Sequence, residues 1–119
     1  MVFLCERLTL YRRSLDFVDR VRRCWKKPPE GYGHLVNQLR RAAESIPLNI
    51  AEGYGRYQAG EKRRFYLIAR GSCYECSAAV DLCRRAGIIS DETRTLLLDE
   101  LDQVARMLTA LARRGEKSR

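Results

Sequence analysis

The stretch Gln38-Leu39-Arg40-Arg41-Ala42-Ala43-Glu44-Ser45-Ile46-Pro47-Leu48-Asn49-Ile50-Ala51-Glu52-Gly53 decides the fold, because a helical apolar rhythm runs straight through a proline. Leu35, Leu39, Ala42 and Ile46 recur at helical spacing, with Val36, Ala43 and Ile50 beside them, and the pattern spans Pro47. Proline lacks an amide donor and its ring collides with the carbonyl four residues back, a defect of about 3 kcal/mol in an unsupported helix. A helix that persists across it is expected to be kinked there and held by its neighbours. Gly53 and Gly55, around Tyr54, are expected to end it, since either can take a left-handed terminal conformation.

Upstream, Lys26-Lys27-Pro28-Pro29-Glu30-Gly31-Tyr32-Gly33 breaks the pattern, so this helix is expected to start near His34. The helix before the loop carries two stripes. Leu4, Leu8, Tyr11, Leu15, Val18 and Trp25 form a seam interrupted at Arg22, and Phe3, Leu10, Phe17, Val21 and Cys24 lie alongside. Together they cover an arc of about 160°, wider than the apolar face of an ordinary surface helix. Phe3, Leu10, Phe17 and Val21 are therefore expected to meet another subunit.

Downstream, a third helix is expected from Gly60 or Glu61 to Ala86, with Phe65, Ile68, Ser72, Glu75, Ala79 and Leu82 on one stripe and Ala69, Cys73, Cys76, Val80 and Cys83 on the next. Gly87 closes it. Ser90 is a good N-cap for a fourth, followed by Asp91 and Glu92 where negative charge suits the helix dipole. Leu97, Leu101, Val104, Leu108 and Leu111 complete that seam. The class is all-α: an antiparallel up-down-up-down four-helix bundle with a proline-kinked second helix. Residues 1–112 read as one domain and 113–119 as a charged, frayed tail.

The run from Gln38 to Ala43, Ser45-Ile46-Pro47, Asn49-Ile50-Ala51-Glu52-Gly53, Arg56, and Ala69-Arg70-Gly71-Ser72 with Glu75 resemble the bacterial four-helix-bundle family of 23S rRNA intervening-sequence proteins, over about Leu4 to Leu111. The resemblance implies a pentameric ring of bundles, and through related accessory proteins of diversity-generating retroelements it implies contact with nucleic acid and a reverse transcriptase. Cys73 and Cys76 stand where relatives commonly carry larger apolar or polar residues.

Charge points the same way without specifying a ligand. The chain has 119 residues and a net charge of +8. Residues 1–41 hold ten Lys or Arg against four acids, whereas residues 87–119 are balanced at six each. Such an excess favours polyanions through counterion release, or simply solvates helix faces. Arg12, Arg13, Arg20, Arg23, Lys26 and Lys27 form one candidate nucleic-acid band, and Arg56, Lys62, Arg63 and Arg64 a second. Tyr54, Tyr57 and Tyr66 near the second are candidates to stack on unpaired bases.

No set of residues composes an active site. Cys73 and Cys76 have C-x-x-C spacing, yet they lie inside a helix on an apolar stripe with Cys83 and without a second ligand pair, so packing is the favoured reading over metal or redox chemistry. His34 has no nucleophile near it in sequence. Glu75 on an apolar stripe is expected to be a buried carboxylate paired with Arg40 or Arg41, fixing helix register. Asn49 and Glu52 are placed to satisfy the carbonyls that Pro47 releases.

The five cysteines do not form a disulfide framework, no leader precedes them, and no apolar run reaches the roughly 20 residues of a membrane span, so a cytoplasmic protein is expected. The reading is thus a non-catalytic, cofactor-free homo-oligomer, a pentamer by resemblance, that offers basic surfaces to RNA. The alternative is a scaffold that recruits a partner polypeptide.

Overall fold

A computed structural model describes residues 5–117, with side chains for residues 9–114. Four helices follow in order: α1 Cys5–Arg23, α2 Gly33–Tyr54, α3 Ala59–Arg85 and α4 Asp91–Lys117. Each packs against its sequence neighbours, and α1 closes the square on α4, giving a rod of 49 × 22 × 22 Å. There is no strand among the described residues. No described helix is long and apolar enough to cross a membrane.

The ends are built by local chemistry. Gly87, at φ +78°, lets the Ile88 amide donate to the Cys83 carbonyl at 3.1 Å and the Gly87 amide to the Arg84 carbonyl at 3.0 Å, so α3 stops in a Schellman turn. Two residues on, Ser90 Oγ accepts the Thr93 amide at 3.1 Å and caps α4, as its position before two acids predicts. The fourth helix then runs through Gly115 to Lys117, so the segment expected to fray is helical as far as residue 117.

The second helix continues through Pro47, which is buried among Ala43, Ile46 and Ile50. It does not end in a left-handed glycine: Gly55 sits at φ −82°. Nor do Asn49 and Glu52 serve the Ala43 carbonyl that Pro47 frees. Asn49 Nδ2 donates to the Ser45 carbonyl at 2.8 Å, and Glu52 pairs with Arg56 at 2.9 Å. Asn49 reaches one turn back, a shorter path than the route to residue 43, and the Glu52 carboxylate has no donor to offer a carbonyl.

The expected oligomer ridge on α1 is the monomer's own core. Leu10 and Phe17 are fully buried and Val21 nearly so, while Leu15, placed on the inward seam, is 38% exposed; Phe3 lies outside the described residues. The missing piece is Ser14. Its hydroxyl donates to the Tyr11 carbonyl at 2.6 Å, so it loses its need for water and fills the heptad position between Leu10 and Phe17. Residues 10, 14, 17 and 21 then form an unbroken seam that does not pass through Arg22.

The third helix is corrected in the same sense. Ala69, Cys73, Cys76, Val80 and Cys83 face the core with Tyr66, Ser72 and Ala79. Ile68 and Leu82 are exposed, and so is Glu75, which is not a buried carboxylate. Small residues on the inner stripe admit both neighbouring helices, and the bulkier stripe turns outward.

Candidate nucleic-acid interface

Antiparallel packing separates the basic residues that the sequence groups by position. Arg23, Lys26 and Lys27 lie at the end of the rod where α1 passes into α2, and all three are exposed. Arg56, Lys62, Arg63 and Arg64 lie at the opposite end, where α2 passes into α3. Arg12, Arg13 and Arg20 run along α1 between them.

Several of these charges are already committed within the chain. Arg20 pairs with Glu100 at 2.6 Å and Arg13 donates to Gln103 Oε1, so both pin α1 to α4. At the α3–α4 end, Arg84 with Asp91 at 2.5 Å and Arg94 with Asp81 at 2.8 Å neutralise one another across the turn. The Arg84 guanidinium, through its hydrogen bond and charge, holds the Asp91 carboxyl below the usual carboxylate range. Arg12, Arg23, Lys26 and Lys27 remain exposed with no acidic partner among the described residues.

The α2–α3 turn is built around aromatic rings. Lys62 Nζ donates to the Gly53 and Tyr54 carbonyls at 3.2 and 3.1 Å, placing a cation on the negative end of the α2 dipole. Its charge therefore serves the fold. Tyr54 packs against Tyr11 and edge-on against Tyr66, each with ring centroids 6.4 Å apart, and Tyr66 is buried. Those two proposed stacking rings cover the bundle end. Tyr57 alone of the three is free, at 99% exposure. In the same connection and the first turns of α3, the Arg56 and Arg64 guanidiniums lie 4.7 and 5.7 Å from the Phe65 ring centroid.

A family profile described as 23S rRNA-intervening sequence protein matches residues 6–110. The chain belongs to that family. A crystal structure of a protein of unknown function from the S23 ribosomal protein family of Bacteroides thetaiotaomicron superposes with a TM-score of 0.81 at 18% identity, covering 91% of this chain and 98% of that one. At that identity the likeness establishes the fold. A search of curated proteins returns no match.

In this family member the motif residues hold the bundle together more than they converge on a ligand. Arg40 Nη2 donates to the Trp25 carbonyl at 3.1 Å, and Trp25 Nε1 donates to the Ile88 carbonyl at 2.9 Å. One tryptophan thus ties the α1–α2 loop to α2 and to the α3–α4 turn. Ser45 Oγ lies 2.6 Å from Ser72 Oγ, which donates onward to the Ile68 carbonyl at 3.3 Å, bridging α2 and α3 below the surface. Neither link is visible in the sequence, where serine on an apolar helix and a lone tryptophan carry no partner information.

Arg41 and Glu75 line one open groove with His34, Asn37 and Gln38, but no ion pair joins them among the described residues, and Arg40 goes to the Trp25 carbonyl instead. The sequence placed His34 and Glu75 far apart, and the α2–α3 pairing brings them to one surface.

The cysteines behave as packing groups. Burial pushes the Cys73 thiol up to about 12 and Cys83 up to about 11, and raises Cys76 further still. No cluster among the described residues has the His, Cys, Asp and Glu grouping that holds a metal ion.

Proposed function

We propose that this protein is a non-catalytic cytoplasmic bundle that assembles as a homo-oligomer and presents basic surfaces to RNA. The observation that carries the RNA reading is the set of exposed cations at the α1–α2 connection, Arg23, Lys26 and Lys27, continued along α1 by Arg12, that have no acidic partner among the described residues. A cation whose charge is partly offset within the fold gains less from a phosphate than an unpaired one, which releases counterions on binding.

Assembly rests on a different face from the one the α1 pattern suggests. Leu48 at 66% exposure on α2 and Leu82 at 52% and Ile68 at 40% on α3 are exposed apolar side chains that a second copy can cover. The pentamer is the stoichiometry that the family resemblance implies. If the chain is monomeric in solution, the same side chains support the second reading, a scaffold that docks a partner polypeptide.

Titration with structured and single-stranded RNA across a salt series tests the function. Affinity that falls steeply with salt supports it, and no detectable binding at low salt removes it. Light scattering of the purified protein tests the assembly.

A further inference from the structure

We propose that the α2–α3 turn is a stacking site for one unpaired base of a single-stranded nucleic acid, with Tyr57 as the platform and the Arg56 and Arg64 guanidiniums as contacts to the flanking phosphates. The proposal rests on the nucleic-acid reading above and adds a contact specific for single strands at the end of the rod opposite Arg23, Lys26 and Lys27.

Three features set this turn apart from the rest of the basic surface. First, Tyr57 does nothing for the fold. The bundle end is covered by Tyr11, Tyr54 and Tyr66, and the Tyr57 ring remains 99% exposed beyond them. An aromatic face in water is an uncompensated apolar surface, and any nucleobase can cover it.

Second, the guanidiniums of Arg56 and Arg64 are arranged before any ligand arrives. Both are held against Phe65, and Arg56 is also tied to Glu52 at 2.9 Å. A guanidinium resting on a ring keeps N–H groups at its edge for phosphate oxygens, and its restricted motion reduces the entropy lost on binding. Third, Lys62 is spent on the α2 carbonyls and Arg63 is half-buried and engaged within the chain, which leaves Arg56 and Arg64 as the turn's donors to a phosphate.

The acids on the same turn limit the site. Glu52 offsets part of the Arg56 charge, and Glu61 in the first turn of α3 repels a phosphate. With one free ring and two partly offset cations, the site takes about one nucleotide. A duplex keeps its bases stacked inside, so it cannot use the Tyr57 platform.

The test is fluorescence anisotropy of labelled rU12, dT12 and a duplex of equal length at low salt, with the full chain. The wild type is expected to bind single strands more tightly than duplex. Tyr57→Ala is expected to weaken single-strand binding about tenfold while leaving duplex binding unchanged, and Tyr57→Trp to retain it. Arg64→Gln is expected to lower the salt slope by about 0.7 for the single strand. Because the Tyr57 side chain lies outside the core, circular dichroism should show an unchanged fold.

Binding of rU12 and dT12 is expected to agree within a few-fold, since neither contact uses a 2′-hydroxyl; a preference beyond about tenfold would overturn the stacking geometry. Single-strand binding that survives Tyr57→Ala intact, while a Lys26→Gln, Lys27→Gln variant loses it, overturns this site but leaves the function standing. Failure of the wild type to bind any of the three overturns both.

Discussion

Gly53 and Tyr66 occupy one space: a Cβ on Gly53 would sit 2.5 Å from Tyr66 Cε1, closer than packed carbons approach. The glycine is therefore needed for close approach of α2 to α3, and its role differs from the helix-ending one that a glycine near Tyr54 suggests. Tyr66 cannot swing aside easily, because it is buried with its ring edge-on to Tyr54. Gly53→Ala should destabilise by about 1–2 kcal/mol in urea melts, the overpacking cost exceeding the helix-propensity gain of about 1 kcal/mol. In a Tyr66→Ala background the sign should reverse, and a cycle showing no coupling between the two would count against the clash.

The reassigned face of α1 makes a sharp distinction between two apolar residues. Phe17 is fully buried within one chain, so Phe17→Ala should cost about 3–5 kcal/mol and lower the melting temperature at every protein concentration. Leu48→Glu should leave the single chain's stability within about 0.5 kcal/mol while shifting the light-scattering mass downward. A Phe17→Ala protein that stays fully stable but dissociates would restore the α1 ridge as an interface.

The Ser45–Ser72 bridge should behave as one shared interaction. Each hydroxyl keeps a backbone acceptor on its own helix, Ala42 for Ser45 at 2.8 Å and Ile68 for Ser72 at 3.3 Å, so either Ser→Ala single variant is expected to cost about 1 kcal/mol, the bridge itself. Removing both leaves a small apolar contact and should cost less than the two singles together. Chemical denaturation of the four proteins measures this, with additive losses as the adverse result.

Trp25 is the only tryptophan and is buried between the α1–α2 loop and the α3–α4 turn. Its emission should lie to the blue in the native protein and move red on unfolding. Trp25→Phe keeps most of the apolar body but leaves the Ile88 carbonyl without its indole donor, at an expected cost of about 1–3 kcal/mol. Hydrogen exchange should rise first in the α3–α4 turn; exchange unchanged there would deny the tether.

Raised thiol pKa values give a pH dependence of definite sign. An unfolded cysteine ionises near its ordinary value of 9.0, whereas folded Cys83 and Cys73 hold their protons to about 11 and 12 because burial penalises the thiolate. Between those limits the folded state binds more protons than the unfolded one, so stability should fall as pH rises above about 9. The loss is absent below the unfolded pKa. Cys73→Ala should flatten the decline in melts from pH 8 to 11, and native thiols should react slowly with maleimide until the protein unfolds.

The sequence by itself determined four helices, their order, the Ser90 cap, the Gly87 stop and the survival of α2 across Pro47, because each depends on spacing or chemistry within a few residues. Periodicity also located the apolar stripes on α1 and α3. It could not say which residues of each stripe face inward, since Val18 and Trp25 of one stripe join Leu10, Phe17 and Val21 of the other in the core while Leu15 turns out, a division that only a partner surface selects.

Tertiary packing made that choice. Ser14 completed the α1 seam by satisfying its hydroxyl on its own helix, and the small residues of α3 let α2 and α4 approach, turning Glu75, Ile68 and Leu82 to the outside. Packing also split the basic residues between two ends and left Tyr57 open while closing Tyr54 and Tyr66. Those outcomes depend on contacts between segments far apart in the chain, which helical spacing within one segment does not encode.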